Sequence, residues 1–126
     1  MANDRFTSYW VRSRDITYAD TGTTVGAISV PADTFVAKVI AHIETAFSAT
    51  GTVDCGDGTD PDGWIDNLQM SAANTGIKLG TGGDSAYWTA AGKGYTAADT
   101  IDVYVDDNTS GSLFIMAELV PFADVA

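Results

Sequence analysis

Apolar and polar residues alternate along much of this chain, a pattern that predicts β-strands. In Thr100–Asp106, Ile or Val occupies every second position, and Thr, Asp or Tyr occupies the positions between. Because successive side chains of a strand point to opposite faces, this segment is predicted to be a half-buried strand. Turn residues at 107–111 lead to a return strand, Ser112–Val120, which ends at Pro121 because proline has no N–H to donate.

The Ser112–Val120 strand is apolar on both faces. Its odd-numbered residues from 113 to 119 are Leu, Ile or Ala, and its other face carries Phe114, Met116 and Val120 beside Glu118. A second apolar face is unfavourable in open solvent. We therefore expect a neighbouring chain to cover Phe114, Met116 and Val120.

A second long strand is predicted over Thr34–Phe47, and one of its faces would carry Phe35, Ala37, Val39, Ala41 and Ile43. Shorter strands are predicted over Phe6–Val11, Ile16–Tyr18, Thr23–Val30, Thr50–Cys55, Gly76–Leu79 and Tyr87–Thr89, with one helical turn over Asp66–Ala73. Short strands without alternating helices predict an all-β fold, an antiparallel β-sandwich that is jelly-roll-like and forms a single domain. Residues 15–126 are assigned to this sandwich, and residues 1–14 form a candidate N-terminal arm.

The chain has 126 residues, of which 17 are acidic and 6 are basic, and its net charge is −11. This charge repels phosphate, so neither nucleic acid nor an anionic membrane is an expected partner. Three basic residues, Arg5, Arg12 and Arg14, lie in the first fourteen positions and are candidates to contact an acidic neighbour. The sequence shows no membrane-spanning apolar run and no signal peptide, so we expect synthesis in the cytoplasm.

Little in the sequence supports catalysis. Cys55 is the only cysteine and His42 the only histidine, and no pattern brings the two together as a nucleophile and its base. We therefore predict no catalytic residues and no enzyme activity.

The acidic loop at residues 54–63 is the strongest candidate for a metal site. Asp54, Asp57, Asp60 and Asp62 offer the hard oxygen ligands that calcium prefers, and intervening glycines permit tight curvature. Their spacing does not fit an EF-hand, and aspartate and glycine are also ordinary turn residues. Calcium is thus a candidate ligand, and a loop without any cofactor is the alternative.

Aromatic residues are numerous enough to suggest a second kind of site. They could form a sugar-stacking platform, as in a carbohydrate-binding module with a calcium-stabilised loop, or they could fill the core or a subunit interface. The residues concerned are Tyr9, Trp10, Trp64, Tyr87, Trp88, Tyr95 and Tyr104.

Several stretches resemble a group of small structural proteins of tailed bacteriophages, which includes capsid decoration or cement proteins. The similar segments are Pro31–Val39, Ile43–Phe47, Gly51–Val53, Gly56–Trp64 and Tyr95–Val103. The resemblance covers roughly residues 30 to 120 and consists of turn-and-strand patterns. It implies a β-sandwich or jelly-roll domain that forms homo-oligomers, as a dimer or trimer, and clamps neighbouring subunits of the major capsid protein.

The resemblance therefore implies a non-enzymatic virion protein on the outer surface of the capsid. The phage tail or a head fibre is an alternative location. The basic N-terminal segment and the Phe114, Met116 and Val120 face are the candidate contacts with partners.

Overall fold

The computed structural model describes residues 7–48, 50–70, 76–79, 85–106 and 109–122. Its strands are β1 Tyr9–Arg12, β2 Ile16–Thr17, β3 Thr24–Val30, β4 Thr34–Thr45, β5 Thr52–Gly56, β6 Ile65–Gln69, β7 Gly76–Leu79, β8 Lys93–Tyr95, β9 Asp99–Asp106 and β10 Ser112–Pro121. A 3-10 turn spans Tyr18–Asp20, and one short helix, α1, spans Ala86–Thr89. None of the described residues form a helix that is long and apolar enough to cross a membrane.

The strands form two antiparallel sheets. In the first sheet β10 and β4 are central, β1 and β2 pair with β10 on one side, and β7 and β8 pair with β4 on the other. The second sheet has the order β3-β9-β5-β6. The first sheet is thus four strands wide, because each of its edges is made of two short strands placed end to end.

This pairing pattern is a jelly roll. The first strands pair with the last (β1 and β2 with β10), β3 pairs with β9, β4 pairs with β7 and β8, and β5 pairs with β6. The chain therefore folds inward from both ends, and consecutive long strands alternate between two packed sheets. The predicted all-β sandwich is confirmed, and the topology is that of a jelly roll.

The core lies between the two sheets. The core residues are Ile101, Val103 and Val105 on β9 and the odd-numbered residues from 113 to 119 on β10, as the alternation predicts. Trp64 is the largest fully buried side chain. Burial of apolar surface on this scale is the main driving force for the fold.

A β-bulge on β4 changes which residues face the core. Glu118 pairs with Lys38 but Leu119 pairs with Val36, so Ala37 is an extra residue on β4. One extra residue reverses the facing of every side chain beyond it. Val36 is therefore fully buried and Phe35 points outward. The prediction that Phe35 and Ala37 share a face with the core residues of β4 is wrong.

Two local predictions are also wrong. The expected helical turn at Asp66–Ala73 is strand β6 as far as Gln69, and residues 71–73 lie outside the described residues. The expected strand at Tyr87–Thr89 is helix α1, which hydrogen bonds through Tyr87 to the carbonyl of Gly63. In both places, contacts with distant segments override the local preference for one type of element.

The N-terminal segment is integrated into the sandwich from residue 9 onward. Tyr9–Arg12 forms β1, and Ser13 is buried with its hydroxyl accepting a hydrogen bond from the Ile115 amide at 3.0 Å. Residue 14, where the candidate arm was expected to end, lies between β1 and β2, and both of these strands pair with β10. Arg5 lies outside the described residues.

Candidate functional site

The acidic loop between β5 and β6 is organised around the carboxylate of Asp57, which is 1% exposed. Its Oδ1 accepts hydrogen bonds from the amides of Thr59 and Asp60 at 3.0 and 2.9 Å. Asp57 donates its own amide to the Asp60 carbonyl at 3.0 Å, which closes the loop. This aspartate therefore shapes the turn from inside, as Asx side chains commonly do.

Asp57 also joins the loop to the opposite sheet. Lys93 on β8 donates from its Nζ to Oδ2 at 2.7 Å, and the Tyr95 hydroxyl donates to the same oxygen at 2.8 Å. Tyr87 of α1 donates to Oδ1 at 3.0 Å. The Lys93 ammonium also lies over the rings of Tyr87 and Tyr95, 4.3 and 4.7 Å from their centroids. Five donors thus satisfy one buried carboxylate, which removes most of the cost of burying its charge.

Ionisation in this cluster follows from those contacts. Burial acts to raise the pKa of Asp57, but hydrogen bonds from Lys93, the Asp60 amide, Tyr95 and Tyr87 together lower the pKa to about 2. Burial raises the pKa of the Tyr95 phenol, and hydrogen bonding to Asp57 raises it further. The cluster therefore contains a permanent ion pair and neutral phenols, and these groups serve to hold the loop against the opposite sheet.

The four predicted metal ligands do not converge on one point. Asp57 points inward, and Asp54 accepts the amide of Asn67 at 2.7 Å, where Asn67 has a φ of 50° in the bulge of β6. The carboxyl groups of Asp60 and Asp62 hydrogen bond to each other, which raises the pKa of Asp60. Among the residues that the structure describes, no three His, Cys, Asp or Glu side chains are grouped to hold a metal ion.

The candidate nucleophile and base lie in different layers. Cys55 is fully buried on the core side of β5, and burial raises the pKa of its thiol, with the charges of Asp102, Asp54 and Asp57 adding to the effect. His42 lies on the outward side of β4, with its ring edge-on to Phe114 at 4.9 Å. A sheet separates the two side chains, so they cannot act together on a substrate.

The outward side of the six-stranded sheet, here called the front face, is the most distinctive surface. It includes two of the predicted contacts, Met116 and Val120, which are half-buried. Phe114 is only 8% exposed because the Arg12 guanidinium stacks over its ring at 3.7 Å. The front face thus presents the Arg12 side chain where the sequence suggested a phenyl ring.

The arginines at the N-terminal end have partners within the chain. Arg12 forms an ion pair with Asp15, and Arg14 forms one with Asp20 through two hydrogen bonds at 3.0 and 3.1 Å. The hydrogen bond between Arg14 and Asp20 lowers the pKa of Asp20 and raises that of Arg14. Both pairs are largely exposed, and exposed pairs contribute little stability.

The structure separates the aromatic residues that a sugar platform would require. Trp64 is fully buried and donates from its indole to the Tyr95 hydroxyl at 3.4 Å. Trp88 is half-buried and lines a groove of about 370 Å³ together with Lys38, Ala37 and Ala91. Trp64 is therefore unavailable for stacking on a ligand.

The sequence did not predict that Phe35 and Phe122 belong to the front face, nor the role of Lys93. Phe35 and Ile40 face outward from β4, and Phe122 is 39% exposed beyond the end of β10. The bulge at Ala37 concealed Phe35, whereas the alternation in Val39–Ile43 did place Ile40 outward. No local signal links Lys93 with Asp57, because the pair is 36 residues apart.

The sequence matches no protein-family model and no curated protein. Solved structures nevertheless share the fold. A chain of the cyanophage Pam1 capsid asymmetric unit aligns with a TM-score of 0.71 and 13% identity, over 95% of this chain and 91% of that chain. A chain of the acidic stable capsid structure of Helicobacter pylori bacteriophage KHP30 aligns with a TM-score of 0.63 and 14% identity, over 90% of this chain and 86% of that chain. The jelly roll of this chain is thus a fold found in chains of phage capsid structures, matched along nearly its whole length.

Proposed function

We propose that this chain is a non-enzymatic structural protein of a bacteriophage virion. The observation that carries the proposal is the fold match with chains of two phage capsid structures over at least 90% of this chain. Fold alone does not specify function, so the proposal also relies on the chemistry of the chain. The single cysteine is buried, the single histidine lies in the other sheet, and the deepest ion pair is fully used in tying two segments together.

Within the virion, we assign the chain the role of a decoration or cement protein on the outer surface of the capsid, bound to the major capsid protein. Such a protein needs a rigid body with surfaces for partners, and this chain has a two-sheet sandwich with an apolar front face. A net charge of −11 favours solubility before assembly. The basic residues Arg5, Arg12 and Arg14 remain candidate contacts with the coat.

Co-sedimentation with capsids tests this role. Expanded capsids of the phage that encodes the chain, assembled without it, are mixed with the purified protein and pelleted. We expect the protein to pellet with capsids and to raise the melting temperature of the shell, because binding to the native state alone stabilises it. A protein that stays in the supernatant, with an unchanged capsid melting curve, would refute the decoration role.

Immunogold labelling of intact virions separates the head surface from the tail and from head fibres. The decoration role predicts dense labelling over the whole head. Labelling confined to the tail or to a few projections would leave the virion assignment intact and move the protein to the alternative location.

A further inference from the structure

Apolar side chains cover much of the front face. Trp10 is 51% exposed and Phe122 is 39% exposed, and four half-buried residues lie between them across β4 and β10: Phe35, Ile40, Met116 and Val120. The rings of Phe122 and Phe35 each come within 3.9 Å of the point where a Cβ on Gly94 would stand. An apolar surface of this extent on one side of a sheet is typical of an interface.

The size of the front face fits a protein–protein contact. The strands of this sheet contain 35 residues. At about 3.3 Å along the strand and about 4.8 Å across it for each residue, they make a face on the order of 600 Å². The described surface totals 6530 Å², so this face is about a tenth of it. Two such faces in contact bury about 1,200 Å², at the lower end of the range for specific interfaces.

The charged residues on the outward sides of the two sheets restrict which surfaces can approach each sheet. No Lys or Arg occurs in β3, β5, β6 or β9, and Asp54, Asp102 and Asp106 point outward from that sheet. The front face instead carries Arg12 and Lys38 beside Glu118 and the exposed Glu44, so its charges nearly balance. Two copies, each with a net charge of −11, repel least when their front faces meet.

The front face is also complementary to itself. Trp10 pairs with Glu118, and Glu118 pairs with Lys38, so the three residues form one row across the sheet. Trp10 protrudes at one end of that row, and the groove of about 370 Å³ beside Lys38 and Trp88 lies at the other end. A rotation of 180° about an axis along the strands places Trp10 of each copy over the groove of the other.

We propose that the front face binds the front face of a second copy, giving a twofold-symmetric dimer in which each Trp10 indole occupies the groove of its partner. Such an isologous contact closes on itself and does not propagate into a fibre. The indole would pack on the Trp88 ring and the Lys38 ammonium, a combination of aromatic and cation–π contact. The dimer forms in solution and does not require the capsid.

Sedimentation equilibrium of the full-length protein tests the dimer. We expect dimer mass for the natural sequence, and we expect Trp10→Ala to raise the dissociation constant by about 30-fold or more, as removal of an aromatic side chain that fills a partner's pocket does. Met116→Lys, in the middle of the front face, should have an effect in the same direction. Tyr18→Ala is the matched control, because Tyr18 is equally exposed at 51% but lies on the 3-10 turn.

Two results would overturn the proposal: monomer or trimer mass for the natural sequence at the highest soluble concentration, or a dimer that neither Trp10→Ala nor Met116→Lys weakens. Thermal melting of each variant shows whether the domain remains folded. Capsid co-sedimentation of the natural sequence, run beside its sedimentation equilibrium, keeps the two proposals apart. Natural protein that is dimeric but does not bind capsids would contradict only the decoration role, and natural protein that is monomeric yet binds capsids would contradict only the dimer.

Discussion

At the scale of single residues, Asp57 is the side chain on which the acidic loop depends. It is buried, yet five donors satisfy it, and the chain thereby joins the loop after β5 to β8 and to α1. Removing one partner of such a pair leaves the other charge unpaired, which is more costly than the net benefit of forming the pair. The aspartates of this loop therefore differ greatly in importance although the sequence presents them alike.

Acid should weaken the fold through Asp57. An aspartate in an unfolded chain has a pKa of about 3.9, so a folded value of about 2 means that the native state favours the ionised form. Its contribution, about 2.5 kcal/mol, is complete above pH about 4 and is lost as the pH falls towards about 2. Urea unfolding over this pH range measures the free energy of unfolding of the natural sequence and of Asp57→Asn. The difference between the two should become smaller as the pH falls. Asp66→Asn serves as the control. A difference in the free energy of unfolding that does not change with pH would contradict the low pKa of Asp57.

Two glycines in the same loop should respond differently to alanine. A Cβ at Gly56 would collide with the carbonyl oxygen of Asp60 and the backbone of Pro61, whereas a Cβ at Gly58 meets nothing within 4 Å. We expect Gly56→Ala to reduce the free energy of unfolding by about 3 kcal/mol, since the loop backbone must shift. Gly58→Ala should change it by less than about 0.5 kcal/mol. Denaturant unfolding measures both, and equal effects would show that the loop does not close over Gly56.

At the scale of elements, hydrogen bonds within the chain account for the shape of the acidic loop and the neighbouring bulge. Asp57 holds the loop closed, and Asp54 stabilises the positive φ of Asn67 in β6. Neither carboxylate is free to bind calcium without giving up these donors. We therefore expect calcium and a chelator to leave the melting temperature unchanged in calorimetry. A clear rise with calcium that the chelator reverses would restore the metal site that the sequence suggested.

Alternation predicted the long strands well because burial on one face imposes a period of two. The strands β3, β4, β9 and β10 fall within a few residues of their predicted bounds. The alternation predicted correctly which side chains of β10 face the core, because the core residues of β10 alternate without interruption. It did not do so for the first part of β4, where Ala37 is inserted. A bulge depends on the partner strand, and the sequence of one strand does not reveal it.

The candidate surfaces could be predicted only in part. The apolar outward side of β10 was evident from Met116 and Val120, because both alternate with core residues. Trp10 joins them through pairing between β1 and β10, which are separated by about a hundred residues of sequence. Long-range pairing of this kind brings together residues that no local pattern connects.

At the scale of the whole molecule, the two sides of the sandwich have opposite character. All basic residues outside the undescribed N-terminal end lie in the front sheet or in the β1–β2 link, and none lies in the four strands of the back sheet. The back side carries outward carboxylates that keep copies apart in solution. This division of charge supports the proposal that two copies associate through their front faces.

The response of the dimer to salt follows from this division. If front faces meet, apolar contacts hold the dimer together, and the residual force between two copies of charge −11 is repulsive. Salt shortens the Debye length from about 14 Å at 0.05 M to about 4 Å at 0.5 M, so it should weaken the repulsion and tighten the dimer. Sedimentation equilibrium at these two concentrations should give a lower dissociation constant at the higher one. A dimer formed by Arg12 and Lys38 on the front of one copy against the acidic back of another would respond in the opposite way, because salt would then screen the attraction. The sign of the salt dependence therefore distinguishes a closed twofold dimer from head-to-tail association.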